Sequence, residues 1–207
     1  LCLSRLALAL WYLGYPEQAL QRIEEARALA KRLAQPYSQA FALEHANRLY
    51  ICLREEEKVR ITATEQIALA TQQQFDILIN NGRIYQSTML VIEGHQASEN
   101  LTRIQESLKA RKALQMETSL PVWLHLLAIA YHFNDQTSQS LKTFDEAMQL
   151  LDKTEFMNIL RCDLLILKGQ LLLKQSNQDT ATQQQDAEKS FRQAYEMAQS
   201  RQSKTLE

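Results

Sequence analysis

The sequence predicts an all-α chain of stacked helix pairs, and three observations carry that expectation. Only four Gly and three Pro occur in 207 residues, whereas sheets and phosphate-binding loops consume glycine. Apolar residues recur at the i, i+3, i+4 spacing of amphipathic helices. A helix–turn–helix joint also returns at a nearly constant interval.

The first pair displays the joint. Leu3, Leu6, Ala7, Leu10 and Leu13 share one helical stripe, and Gly14 follows at a C′ position, where positive φ is tolerated. In "LGYPEQAL", Pro16 suits the first turn of the next helix because its missing N–H would be unpaired there, and Glu17 meets the positive end of the helix dipole. The second helix carries Ala19, Leu20, Ile23, Ala26, Leu29 and Ala30 and ends before Pro36.

Turns placed at Gly14, Arg54, His95 and Asp135 lie 40, 41 and 40 residues apart, the mark of a repeat array. Five residues after each stands a short or medium side chain, Ala19, Val59, Asn100 and Ser140, at the expected helix crossing. A fifth pair carries Gly169 and Leu172 on one helix and Ala187, Phe191 and Ala194 on the other. The polar stretch "QSNQDTATQQQD" between them reads as a loop. The units run 1–36, 37–76, 77–118, 119–155 and 156–202, forming a single domain. "SKTLE" at 203–207 reads as the start of a truncated sixth, and Leu1 opens inside an apolar helical run, so a fragment of a longer protein is expected.

Composition and motifs then remove function classes. A net charge of −1, a pI near 6.5 and the lack of any basic cluster leave no footprint for nucleic acid. Apolar runs such as Leu164–Leu167 and Leu171–Leu173 fall short of the ~20 residues of a membrane span. Cys2, Cys52 and Cys162 are scattered, with no C-x-x-C, so reduced thiols in a cytoplasm are expected rather than zinc ligands or disulfides. Neither G-x-x-x-x-G-K-[ST], G-x-S-x-G nor H-E-x-x-H occurs. His125 and His132 are seven residues apart on one helix, about 10 Å along its axis, too far to share a zinc ion. "REEEK" at 54–58 reads as a solvated helix start. No catalytic residue, cofactor or metal is expected.

These units resemble tetratricopeptide repeats, whose usual period is about 34 residues. The matching positions are Gly14, Ala19 and Ala26 in the first unit, Ala128, Tyr131, Phe144 and Ala147 in the fourth, and Gly169, Ala187, Phe191 and Ala194 in the fifth. In the second and third units Gln66, Asn100 and Ser107 stand where small residues mark the others. The longer period is similar to that of the C-terminal arrays of bacterial predicted ATPases of the STAND signalling class, often fused to adenylate-cyclase or protein-kinase domains. "LGYPEQALQRIEEARALAKRLAQPYSQAFAL", "IALATQQQF", "LKGQLLL" and "AEKSFRQAYEMAQSRQSKTLE" carry that similarity.

The resemblance implies a right-handed superhelix of about five helix pairs, with the first helix of each pair lining a concave groove. The groove residues it implies are Trp11 and Tyr12 with Leu8, Phe41 and Arg48 with Glu44 and His45, and Tyr85, Gln86 and Met89. His125, His132 and Phe133 with Ile129, and Gln170 with Ile166, complete the set. The expected function is a non-catalytic interaction and regulatory scaffold of a cytoplasmic bacterial signalling protein. Its groove would receive a peptide, a partner helix or another domain of the same polypeptide. The alternative is a small-molecule sensor, similar to sugar-responsive regulators whose helical repeats bind an inducer. Nucleic acid, membrane and metal are not expected partners.

Overall fold

The computed structural model describes residues 1–114, 119–153, 160–175 and 180–200. Among them the chain forms ten helices and no strand: α1 (Cys2–Tyr12), α2 (Pro16–Arg32), α3 (Pro36–Cys52), α4 (Glu56–Gln72), α5 (Asp76–Ile92), α6 (Ala97–Ala113), α7 (Leu120–Phe133), α8 (Thr137–Asp152), α9 (Leu160–Gln175) and α10 (Thr180–Ser200). The expected sixth-unit start at 203–207 lies outside the described residues.

Each helix packs on the next in chain order. The odd-numbered helices also touch one another in succession, α1 on α3, α3 on α5, α5 on α7 and α7 on α9. The even-numbered helices make their principal contacts with odd-numbered neighbours, so they flank a continuous odd row. One apolar cluster runs from Ala7 in α1 to Leu164 in α9, as required when no pair can bury its apolar face alone.

The joints explain the regularity. Gly14, Ala34, Arg54, Gln74 and Gly94 all have positive φ, and they are spaced 20 residues apart. At Gly14 the following N–H, that of Tyr15, reaches back to the Leu10 carbonyl at 2.9 Å, and Gly14 N–H reaches Trp11 at 2.9 Å. This paired 6→1 and 5→2 bonding closes a helix on a left-handed residue. It recurs after Arg54 (Glu55 to Tyr50, 2.9 Å), Gln74 (Phe75 to Ala70, 2.9 Å) and Asp135 (Gln136 to Tyr131, 2.9 Å). The third expected turn shifts by one residue. Gly94, not His95, holds the left-handed conformation, with Gln96 at φ 44° opening α6.

Helix crossings are met in two ways. Ala19, Val59 and Ser140 are fully buried, and Asn100 is 1% exposed. Ser140 Oγ donates to the Ala128 carbonyl at 2.7 Å, and Asn100 Nδ2 donates to the His95 carbonyl at 2.9 Å. Gln66 is also fully buried. It accepts from Asn47 Nδ2 at 2.9 Å and donates to the Leu78 carbonyl at 2.8 Å, linking α3, α4 and α5. Buried amide bonding thus does in the second unit what small residues do elsewhere. In the fifth pair, by contrast, the approach is close: a Cβ on Gly169 would stand 2.5 Å from the Phe191 ring.

Two expectations are corrected. The polar stretch after α9 is not a long loop, because α10 begins at Thr180 and takes "TATQQQD" into helix. The leucine stripe of α1 is only partly inward: Ser4, Ala7 and Leu8 are buried, while Leu6 and Leu13 are 44% and 51% exposed. As the first helix described, α1 packs on α2 and α3, whereas every later odd helix has an even-numbered neighbour on each side.

Candidate binding groove

Four odd helices converge on one cavity of about 370 Å³. Trp11 comes from α1, Ile51 and Cys52 from α3, His125 and Ile129 from α7, and Asp163, Ile166, Leu167 and Gln170 from α9, with Arg54 at the rim. The local reason is spacing. Asp163, Ile166 and Gln170 are three and four residues apart, and His125 and Ile129 are four apart, so successive turns present one face. A second cavity of about 340 Å³ shares Ile51, Arg54, Ile129, Leu167 and Gln170 with the first. It adds Met89, Ile92, His132 and Phe133, with Glu55 and Glu56 on the outer side. The two cavities form one groove along the odd row.

Beside the groove, Arg48 Nη2 of α3 donates to the Tyr12 hydroxyl of α1 at 3.1 Å. Burial raises the Tyr12 hydroxyl to about 12 despite the Arg48 charge, so the phenol stays neutral. Burial likewise lifts the Cys52 thiol to about 12, so it stays protonated and a poor nucleophile. His125 is held down at about 4 by burial and by Arg48, so its ring is neutral at physiological pH. Asp163 is raised to about 6 by burial, with Arg48 opposing the shift. No hydrogen bond or ion pair from the described residues reaches the Asp163 carboxylate.

The residues implied by the repeat resemblance fall in several places. Trp11, His125 and Gln170 line the first cavity; Met89, His132, Phe133 and Gln170 line the second, where Phe133 is 51% exposed. His132 sits edge-on to Phe133 at 5.4 Å, and its Nδ1 is buried with no hydrogen-bond partner among the described residues. Tyr12 and Arg48 form the bonded pair just described. Tyr85 is only 1% exposed and lies edge-on to Trp123 at 5.3 Å, so it supports the row from within the core. Gln86 turns toward α4, its Nε2 lying 3.3 Å from Thr64 Oγ1, and does not belong to the groove. Phe41 stacks on His45 at 4.0 Å and borders a separate cavity with Tyr37 and Phe75.

Asp163, Cys52, Ile51, Arg54 and Leu167 are among the groove residues that sequence reasoning missed. Asp163 was within reach, since it precedes Ile166 by one turn on the same stripe. Cys52 follows Arg48 by four residues and was passed over as an inert thiol. Among the described residues no three His, Cys, Asp or Glu side chains gather to hold a metal ion, and no helix is long and apolar enough to cross a membrane. No protein family, curated protein or solved structure matches the chain.

Proposed function

We propose that the chain is a right-handed, tetratricopeptide-like superhelix acting as a non-catalytic scaffold, and that it holds a peptide segment in the groove of its odd-numbered helices. The observation that carries this reading is the pair of joined cavities. Ile51, Ile129, Leu167 and Met89 supply apolar lining, with Trp11 and the exposed Phe133 as aromatic anchors of the kind that interface cores favour. The groove's ionisable groups suit binding better than bond making, because the thiol and phenol keep their protons and the imidazole stays uncharged. The parent, in this reading, is a cytoplasmic bacterial signalling protein of the STAND class. The array there holds a partner or restrains a linked domain, and any such restraint requires tighter binding to one state than to the other.

The test is selection of capped peptides from a random library on the immobilised chain. Selected peptides are then measured against wild type, a Trp11→Ala/Ile129→Ala groove variant and an Arg192→Ala control on α10. Binding weakened about tenfold or more by the groove variant and untouched by the control supports the reading. Equal binding to all three contradicts it.

A second reading, a small-molecule sensor, is favoured by one observation. The 370 Å³ cavity falls within the ~300–1,000 Å³ of small-ligand sites, and His125, Asp163 and Gln170 converge on it as polar groups. A thermal-shift screen of small polar ligands separates the two: a ligand that stabilises wild type, with no peptide selected, favours the sensor.

A further inference from the structure

We propose that the groove seats a basic side chain, a Lys or Arg of the bound peptide, against the Asp163 carboxylate. This rests on the peptide-scaffold reading and names the chemistry of its partner.

The unmet carboxylate comes first. Asp163 lines the cavity with no donor and no ion-pair partner among the described residues, although protein surrounds it closely enough to raise its pKa. Among the described residues Arg48 is the one cation that acts on it, and Arg48 is already engaged with the Tyr12 hydroxyl at 3.1 Å and also acts on Glu44. A carboxylate drawn away from water without compensating bonds is unfavourable, and an arriving ammonium or guanidinium supplies those bonds in charge-assisted form.

Charge balance points the same way. The charged side chains lining the joined cavities are one cation, Arg54, and three carboxylates, Glu55, Glu56 and Asp163. Glu55 is shared with Lys58 at 3.2 Å, which leaves Asp163 as the deep anion and Glu56 as an outer one. Such a lining favours a cation and disfavours an acidic peptide end.

The surroundings fit the rest of such a side chain. Ile129, Ile166 and Leu167 offer apolar surface to its methylene stem, and Trp11 offers an indole that attracts cations. His125 is neutral and adds no repulsion.

The experiment uses capped hexapeptide pools with the third position fixed as Arg, Lys, citrulline, norleucine or Glu and the others randomised. Each pool is titrated against wild type and Asp163→Asn. On wild type, the Arg and Lys pools are expected to bind about tenfold tighter than the citrulline and norleucine pools. Asp163→Asn brings all four within about twofold while keeping the norleucine affinity. If norleucine matches Arg on wild type, or if the preference survives in Asp163→Asn, the cation site is overturned while the peptide scaffold stands. If no pool binds, both fall. On wild type alone, norleucine matching Arg already overturns the site, and the Asp163→Asn arm separates Asp163 from the outer carboxylates Glu55 and Glu56.

Discussion

Arg48 of α3 donates to the Tyr12 hydroxyl of α1 at 3.1 Å, across 36 residues of sequence, and this bond ties the first two odd helices together beside the groove. Tyr12→Phe keeps the ring and removes the acceptor, leaving part of a buried guanidinium unpaired. The expected cost is about 1–2 kcal/mol, read as a lower midpoint in urea unfolding. An unchanged midpoint would show that the bond adds nothing to the α1–α3 contact.

Asp163 gives a pH dependence of defined sign. Burial lifts its carboxyl from 3.8 to about 6, so the folded chain holds the proton more tightly than the unfolded chain. Stability is therefore lost as pH rises from about 4 to 6, and the penalty is full above 6. Asp163→Asn removes it, gaining about 3 kcal/mol at pH 7.5 and nothing near pH 4. The groups acting on Asp163 or sharing its cavity are Tyr12, Arg48, Cys52, Arg54 and His125. His125, held at about 4 against an ordinary 6.5, works in the opposite sense and loses stability as pH falls through that window. Denaturation of both proteins from pH 4 to 8 isolates Asp163 by difference, and a pH-independent difference contradicts the assignment. A residue that costs stability and improves binding is the usual exchange at a functional site.

Gly169 is fixed by Phe191. A Cβ there would lie 2.5 to 2.9 Å from three ring atoms, and a ring cannot fold aside as a flexible chain can. Gly169→Ala gains helix propensity of about 1 kcal/mol but overpacks the α9–α10 crossing by up to about 3 kcal/mol. Net destabilisation follows, with recovery in Gly169→Ala/Phe191→Leu. Calorimetric melting of the three proteins checks it, and a stabilised single variant would contradict the crossing geometry.

Ala34 holds φ 51°, a conformation that Cβ disfavours and glycine does not. Ala34→Gly is expected to stabilise the α2–α3 joint by about 0.5–1 kcal/mol, although the same change in mid-helix would destabilise by a similar amount. Urea unfolding beside an Ala26→Gly control, in the interior of α2, measures both signs.

The fold was legible because helix periodicity and capping are local. Gly14, Pro16 and Pro36 announce their joints, and Arg54 and Asp135 were found by counting forward. Pro36 marks the α2–α3 joint, but neither Ala34 nor Gln74 signals a left-handed residue by its type, so the 20-residue spacing of these residues stayed hidden behind a 40-residue one. The start of α10 is not visible in the sequence because Thr180–Asp186 offers Ala181 as its single apolar residue, whereas helix there is set by Ala187, Phe191 and Ala194 packing on α9. The groove was legible only in part. Tyr85 lies edge-on to Trp123 inside the core and Gln86 turns toward Thr64 of α4, packing that the helical spacing of α5 does not specify. Which residues meet across α1, α3, α7 and α9 depends on packing between helices distant in sequence, which no single helix encodes.

The most direct measurement is hydrogen exchange across the whole chain with and without a saturating selected peptide. Slowed exchange is expected to concentrate at Ile51–Arg54, His125–Phe133 and Asp163–Gln170, with the even-numbered helices unchanged beyond the first turn of α4, where Glu56 and Val59 border the groove. Protection centred on the even row, or on the outer face of α10, would contradict a binding groove built from the odd helices.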